Sequence, residues 1–440
     1  MKPFLVLRSW FFVPSAWLLL ACSAVMHANA ADEKPSTKNK EQGADEVFRP
    51  EAGKFPPLEK AHAYRGELVF VDHPNRRGSI RVQGSGMFFR NDPHPFALLP
   101  YAEVKYHDAP ADIMDIPLGT LLYVRAFLPP DPKISSVPVL PVDSKKNDAN
   151  HNRGAGIFPA ENHAILLEDE PSRCQREGLV WKLKDVEIKD RAGMIVATCE
   201  PKKGGDAKAT EEKMTFDAAT RVWRGRECLG IDELISEGAW PAEGKKSLGG
   251  QSVLLGICWK PTPDGIFTRF HISDIWLDDV AMQRAAKSQA EVHKAFIRSR
   301  WMAAWIDAVE YGKFGRATVT ATLFGGMDAS LYADFKKGTP AMMNAVEANL
   351  KHDHGAYGAA HMSSRGSILD VIKIPGAPPM GSSGIQIRFE TDLIIEGIRP
   401  GRIVRVRSGA WPMVNVPREE YLNSSSVEER FPSPAIFQKF

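Results

Sequence analysis

One short element is written twice, almost three hundred residues apart. "IPLGTLLYVR" (116–125) and "IRPGRIVRVR" (398–407) put Ile116 with Ile398, Gly119 with Gly401, Val124 with Val406 and Arg125 with Arg407 in one register. Each reads as a glycine turn feeding a half-buried strand, with apolar and polar side chains on alternate faces. A chain that reuses this closing element must build the same kind of β-unit more than once.

The neighbouring sequence supplies the rest of each unit. In the first, "GELVFVDH" (66–73) and "GSIRVQG" (78–84) form a hairpin through Pro74-Asn75-Arg76-Arg77. "FALLPYAEVKYHD" (96–108) is a third strand, followed by an irregular crossing and the Gly119 turn. The second unit repeats this order with "GLVWKLKDVEIKD" (178–190), "GMIVATC" (193–199), "KMTFDAATRVWRGREC" (213–228), the crossing "GIDELISEG" (230–238) and "GGQSVLLGICW" (249–259). The third opens with the long hairpin 303–326, continues with a helical "DASLYADFKKG" (328–338) and ends in 385–409. Hairpin-to-turn spacings of 53, 72 and 96 residues (66 to 119, 178 to 250, 305 to 401) rule out a solenoid of fixed period. Five short strands with a crossing between them predict OB-like barrels, which leave no open sheet edge.

The expected organisation is therefore mainly β: tandem small OB-like β-barrel modules with one long connecting helix. The divisions are a signal peptide (1–30), a flexible tether (31–60), barrel module 1 (61–130), a linker (131–165), module 2 (166–275), a helix (276–301), module 3 (302–412, with an insertion over 338–384) and a C-terminal tail (413–440). The helix, read over Leu277–Trp301, has acids at its start and Arg298 and Arg300 at its end, as the helix dipole favours.

The N-terminus predicts export to the periplasm or cell surface. Lys2 and Arg8 precede an apolar stretch, and Ala28-Asn29-Ala30 is an A-x-A cleavage pattern followed by polar sequence. "LLAC" (19–22) is a lipobox-like alternative that would place a lipid on Cys22. No later window is apolar for the ~20 residues a bilayer needs, so no transmembrane span is expected in the mature chain. Lys and Arg total 56 against 54 Asp and Glu, which gives no cause to expect a nucleic-acid partner.

Four cysteines follow the signal: Cys174, Cys199, Cys228 and Cys258, all within 85 residues. An even number in one module of an exported chain predicts two disulfides, with three pairings open. No C-x-x-C pair points to zinc.

The pattern carried by Ala102, Val104, Asp108-Ala109-Pro110-Ala111, Ile116, Gly119 and Val124 resembles small OB-like β-barrel domains of unknown function in exported bacterial proteins. The helix followed by "RWMAAWIDAVEYGKFGRATVTATLFGG" resembles uncharacterised exported proteins of that kind, and together these stretches cover about two thirds of the chain. The matching positions are aliphatic residues and turn glycines, so the resemblance implies a fold and carries no catalytic residue.

Two sets of residues carry candidate chemistry. Arg405 and Arg407, on one face of the last strand, are candidate ligand-binding residues for an anionic envelope polymer. His352, His354 and His361, in "KHDHGAYGAAHM", could hold a divalent metal. Trp181, Trp223, Trp240 and Trp259 in module 2 offer either a glycan-stacking platform or core filling. The functional reading is a secreted, non-catalytic binding or structural protein of the cell envelope that needs no cofactor. Its partner would be an envelope polysaccharide or another envelope protein. The alternative is a metal-dependent exported enzyme using the histidine cluster.

Overall fold

The computed structural model describes residues 48, 50–51, 53–73, 76–82, 93–127, 163–202, 209–261, 268–345, 363–391, 398–412 and 414. The first barrel is built from β1 (His62–Asp72), β2 (Arg77–Val82), β3 (His94–Tyr106), the two-residue β4 (Ala109–Pro110), β5 (Leu121–Phe127) and β6 (His163–Asp169). Around the ring the order is β1-β2-β3-β6-β5 and back to β1, with β3–β6 the single parallel pair. This one-two-three-five-four order is that of an OB barrel.

Helix α1 (Glu170–Glu177) leads directly from β6 into the second barrel. That barrel comprises β7 (Leu179–Lys189), β8 (Ala192–Pro201), β9 (Thr210–Phe216), β10 (Arg221–Arg224), β11 (Glu227–Leu229), α2 (Ile231–Ser236), β12 (Gly244–Pro261) and β13 (Thr268–Trp276). Its ring order, β7-β8-β9-β13-β12, repeats the first, joined at β9–β13 by the single parallel pair Thr215–His271. Helix α3 (Asp279–Arg300) follows, capped by Asp278, whose carboxylate accepts from Ala281 N at 2.8 Å.

The third barrel is closed by six antiparallel strands. They are β14 (Met302–Tyr311), β15 (Ala317–Phe324), β16 (Pro340–Ala345), β17 (Ser363–Lys373), β18 (Ser382–Thr391) and β19 (Ile403–Ser408), with α4 (Ala329–Ala333) after β15. The ring order β14-β15-β18-β17-β16-β19 differs from that of the first two barrels.

The repeated sequence element does the same job in barrels 1 and 3. Gly119 (φ 92°) and Gly401 (φ 78°) adopt left-handed turns that favour glycine. Gly119 N donates to Leu68 O at 2.8 Å and Leu68 N to Thr120 O at 2.9 Å; Gly401 N donates to Ile306 O at 2.7 Å and Ile306 N to Arg402 O at 3.0 Å. In both barrels the register of the first strand shifts immediately after that residue, between Leu68 and Phe70 and between Ile306 and Ala308. Barrel 2 shifts likewise between Leu183 and Asp185. Such a bulge increases local twist and turns the strand so that the sheet can close.

Three expected boundaries move. Strand β6 straddles the expected linker and module 2, yet it is the fifth stave of barrel 1. All seven of its residues are buried, because one face meets the barrel core and the other the interface with barrel 3. The expected insertion over 338–384 contributes β16 and β17, two strands of the closed ring. "PAMMNA" has no β-branched residue, so pairing with β17 and β19, not propensity, makes it a strand. The C-terminal part of the expected tether is also packed: Phe48, Phe55 and Leu58 lie against an interface cluster of Leu99, Tyr101, Phe127, Trp305 and Phe324. Phe55 meets Trp305 edge-on at 4.9 Å and Tyr101 at 5.3 Å. Pairs of this kind add about 0.5–1.5 kcal/mol each beyond area burial.

Helix α3 touches all three barrels. Arg284 donates to Gly225 O (3.1 Å) in barrel 2, Gln289 to Asp115 (2.8 Å) in barrel 1, and Arg298 to Asp334 (3.0 Å) beside barrel 3. Among the described residues, no helix is long and apolar enough to cross a membrane.

Where strands cross closely, glycine is required by space. A Cβ on Gly366 would lie 1.7 Å from Glu390 O, a backbone atom that cannot swing away. Gly366→Ala is expected to cost about 3 kcal/mol, seen as a lowered urea midpoint; an unchanged midpoint would mean that β17 and β18 are not held together as described.

Candidate functional site

A cavity of 80 Å³ lies where barrel 1, the last turns of α3 and barrel 3 meet. At ~30 Å³ per water it has room for about two or three waters, or for one phosphate or carboxylate group. Each wall follows from local structure. The β1–β2 turn supplies His73 and Arg76; this is the loop beside which OB barrels commonly bind ligands. Arg76 sits at φ 53°, in the left-handed region that costs a non-glycine residue roughly 1–2 kcal/mol. Its side chain donates to Leu99 O at 3.1 Å, while its N–H donates to His73 O at 3.0 Å. Asp112 caps the single 3-10 turn Ile113–Asp115 by accepting from Met114 N at 3.1 Å. Helix α3 contributes His293, Phe296 and Arg300, and β19 contributes Arg405.

These groups give the cavity a cationic character. Asp112 is the one carboxylate lining it among the described residues, against three guanidinium groups, Arg76, Arg300 and Arg405. Burial pushes the Asp112 carboxyl up. The His73 hydrogen bond (2.7 Å), the charges of His73 and Arg76 and the Met114 N–H outweigh that and hold it below the usual carboxylate range. Burial pulls the Arg76 guanidinium down, opposed by Asp112. His293 is 5% exposed, and its Nδ1 has no hydrogen-bond partner among the described residues. Burial lowers its pKa, so the ring is neutral and can give or take one hydrogen bond inside the cavity. Arg405 is oriented by donating to Arg300 O at 2.9 Å. The arrangement suits recognition of a small anionic group by charge-assisted hydrogen bonds.

The two arginines expected to act together are separated by it. Val404 and Val406 are fully buried in the barrel, so Arg405 and Arg407 do share the opposite face. Arg405 lines the cavity, whereas Arg407 reaches Met342 Sδ (3.9 Å) and the Trp411 carbonyl within barrel 3, and burial lowers its pKa. The candidate metal ligands His352, His354 and His361 lie outside the described residues. Trp181 and Trp240 lie in the barrel 2 core, Trp223 packs against that core with its Nε1 donating to Asp274 at 2.8 Å, and Trp259 is buried and stacked on Phe270.

The cysteines depart from the expected two disulfides. All four are free thiols, and only Cys174 and Cys199 are neighbours. Cys228 pairs across from Trp223, which pairs with Trp276, while Cys258 pairs across from His271. Those two β13 positions are five residues apart, about 16 Å along a strand, well beyond the reach of a disulfide between Cys228 and Cys258.

Of the cavity residues, sequence reading offered Arg405 alone as a binding residue. The others are scattered from His73 to Arg300, and no spacing links them. Two local signals exist: the Asp-x-x-Asp capping box at Asp112–Asp115, and a histidine on the otherwise core-facing side of α3. No protein-family model matches the chain, and neither does any curated protein or solved structure at a significant level.

Proposed function

We propose that the protein is an exported, non-catalytic binding protein of the cell envelope, related in kind to the exported OB-like barrel proteins it resembles, and that it captures an anionic end group of an envelope polysaccharide. The observation that carries this reading is the convergence of Arg76, Arg300 and Arg405 on one cavity, whose one lining carboxylate among the described residues is Asp112. The cavity's size supports a phosphate- or carboxylate-bearing group rather than a length of polymer. The closed barrels and the shared helix support a rigid scaffold for it. The N-terminal signal and A-x-A site support export, with cleavage after Ala30 or a lipid on Cys22 as the two routes.

The test is retention of the full chain on an immobilised uronate- or phosphate-bearing polysaccharide. Retention that is released by salt and absent on neutral dextran is the expected outcome, since charge-assisted contacts weaken as salt screens them. Equal retention on charged and neutral polymers, or none on either, would overturn the reading.

A further inference from the structure

Away from the cavity, a close grouping of reactive side chains among the described residues lies where α1 meets barrel 2. Donor atoms of Glu170, Cys174 and Cys199 all lie within 4.8 Å of one another, and all three residues are buried. The Cys174 thiol donates to Glu170 Oε1 at 3.2 Å, and Trp181 Nε1 donates to the same oxygen at 2.8 Å. Arg173 grips both carboxylate oxygens, at 2.6 and 3.2 Å, and stands 3.7 Å from Cys199 Sγ. A cation fits this set poorly. Glu170 is already engaged by Arg173, Trp181, Cys174 and Tyr123, and the Arg173 charge faces the thiol that would have to coordinate. The chemistry left to the pair is between the two sulfurs.

We propose that Cys174 and Cys199 form the protein's single disulfide in an oxidising compartment, while Cys228 and Cys258 remain thiols. The order of events follows from the surroundings. Cys199 is 8% exposed and Cys174 not at all, so an oxidant meets Cys199 first. The Cys174 S–H, when it turns from Glu170 to the Cys199 sulfur, and, more weakly, Arg173 lower the Cys199 pKa, against burial and the charge of Glu170. The same S–H bond, burial and Glu170 push Cys174 up, so it waits as the thiol. The Cys199 thiolate attacks one sulfur of a low-molecular-weight disulfide such as oxidised glutathione, forming a mixed disulfide and expelling one glutathione thiolate. Cys174 then loses its proton along the hydrogen bond to Glu170 and attacks the Cys199 sulfur, displacing the second glutathione thiolate. Two electrons pass from the cysteines to the glutathione disulfide, and the two cysteine protons end on the two glutathiones released. The bond ties α1, which runs directly on from β6 of barrel 1, to β8 of barrel 2. The proposal shares with the proposed function only the oxidising compartment, and its test does not involve the cavity.

The test incubates the purified full chain with mixtures of reduced and oxidised glutathione, quenches with acid, alkylates under denaturing conditions and maps the peptides without reduction. A species joining the Cys174 and Cys199 peptides is expected, with Cys228 and Cys258 alkylated. In the reduced native protein, Cys199 should alkylate at least tenfold faster than Cys174. The Cys228→Ser/Cys258→Ser double variant should form the linkage at the same glutathione ratio as the parent. The proposal is overturned if Cys174 and Cys199 stay fully alkylatable at every ratio, if each carries its own glutathione, or if both are protected by a metal that a chelator removes.

Discussion

Lowering the pH from 6.5 towards 4 is expected to strip the protein of much of its folding stability, with His163 as the largest single contributor. This residue opens β6, is fully buried, and has neither ring nitrogen hydrogen-bonded among the described residues. Burial, reinforced by Arg77, drops its pKa from 6.5 to about 3. His107 and His271 are lowered to about 4, again chiefly by burial. The sign follows from proton counting. Below pH 6.5 the unfolded chain protonates these rings while the folded chain does not, so stability is undiminished above 6.5 and falls as the pH drops towards the folded values. Each such ring contributes a slope of about 1.4 kcal/mol per pH unit, so His163 alone removes about 3 kcal/mol by pH 4. Urea unfolding of a His163→Leu variant provides the check. The variant should match or exceed the parent at pH 7 and lead it by an additional ~3 kcal/mol at pH 4. A constant difference between the two proteins across that range would show that His163 titrates normally in the folded state.

Replacing Arg173 should be the most damaging single change at the junction of barrels 1 and 2. Its guanidinium neutralises Glu170, which is wholly buried, and also pairs with Glu177 at 3.0 Å and stacks 4.4 Å over the Tyr123 ring. Arg173→Met keeps much of the apolar volume but leaves the Glu170 carboxylate buried with only neutral donors, Trp181, Cys174 and the Tyr123 hydroxyl. Stranding one member of a buried pair costs about 3–5 kcal/mol, whereas replacing both members by apolar groups is often nearly neutral. The single variant should therefore lose about 3–5 kcal/mol, and Arg173→Met/Glu170→Leu should regain most of it. If the double variant is no more stable than the single, the loss comes from packing on Tyr123 and not from the stranded charge.

What sequence could and could not reveal follows from the range of the interactions concerned. The glycine turns and α3 are local: Gly119 and Gly401 are forced by positive φ, and the Asp278 cap by its own first turn. These were legible, as was a mainly β chain of tandem barrels, although only four strands were legible in each of the first two modules and the fifth staves, β6 and β13, were missed. Strands β6, β16 and β17 are decided by partners far along the chain, and "PAMMNA" becomes a strand only beside β17 and β19. Phe55 reads as a lone aromatic in a polar stretch until Tyr101, Trp305 and Phe324, from two different barrels, surround it. The cavity is the extreme case. His73, Asp112, His293 and Arg405 come from four separate elements, so no motif encodes it, although alternation along β19 did place Arg405 on the outer face of its barrel. Cysteine number suggested two bonds, but β-pairing leaves room for one.

The central claim, that the cavity holding Arg76, Arg300 and Arg405 recognises an anionic group, is tested most directly by calorimetric titration with an acidic oligosaccharide at low salt. Three proteins suffice: the parent, Arg405→Gln and Arg407→Gln. The account predicts a single site whose affinity falls about tenfold in Arg405→Gln, the loss of one charge-assisted contact of about 1.5 kcal/mol. Arg407→Gln should bind as the parent does, because Arg407 is turned towards Met342 and Trp411. Equal affinity in all three proteins, or a loss confined to Arg407→Gln, would contradict the account and move any binding face away from the cavity.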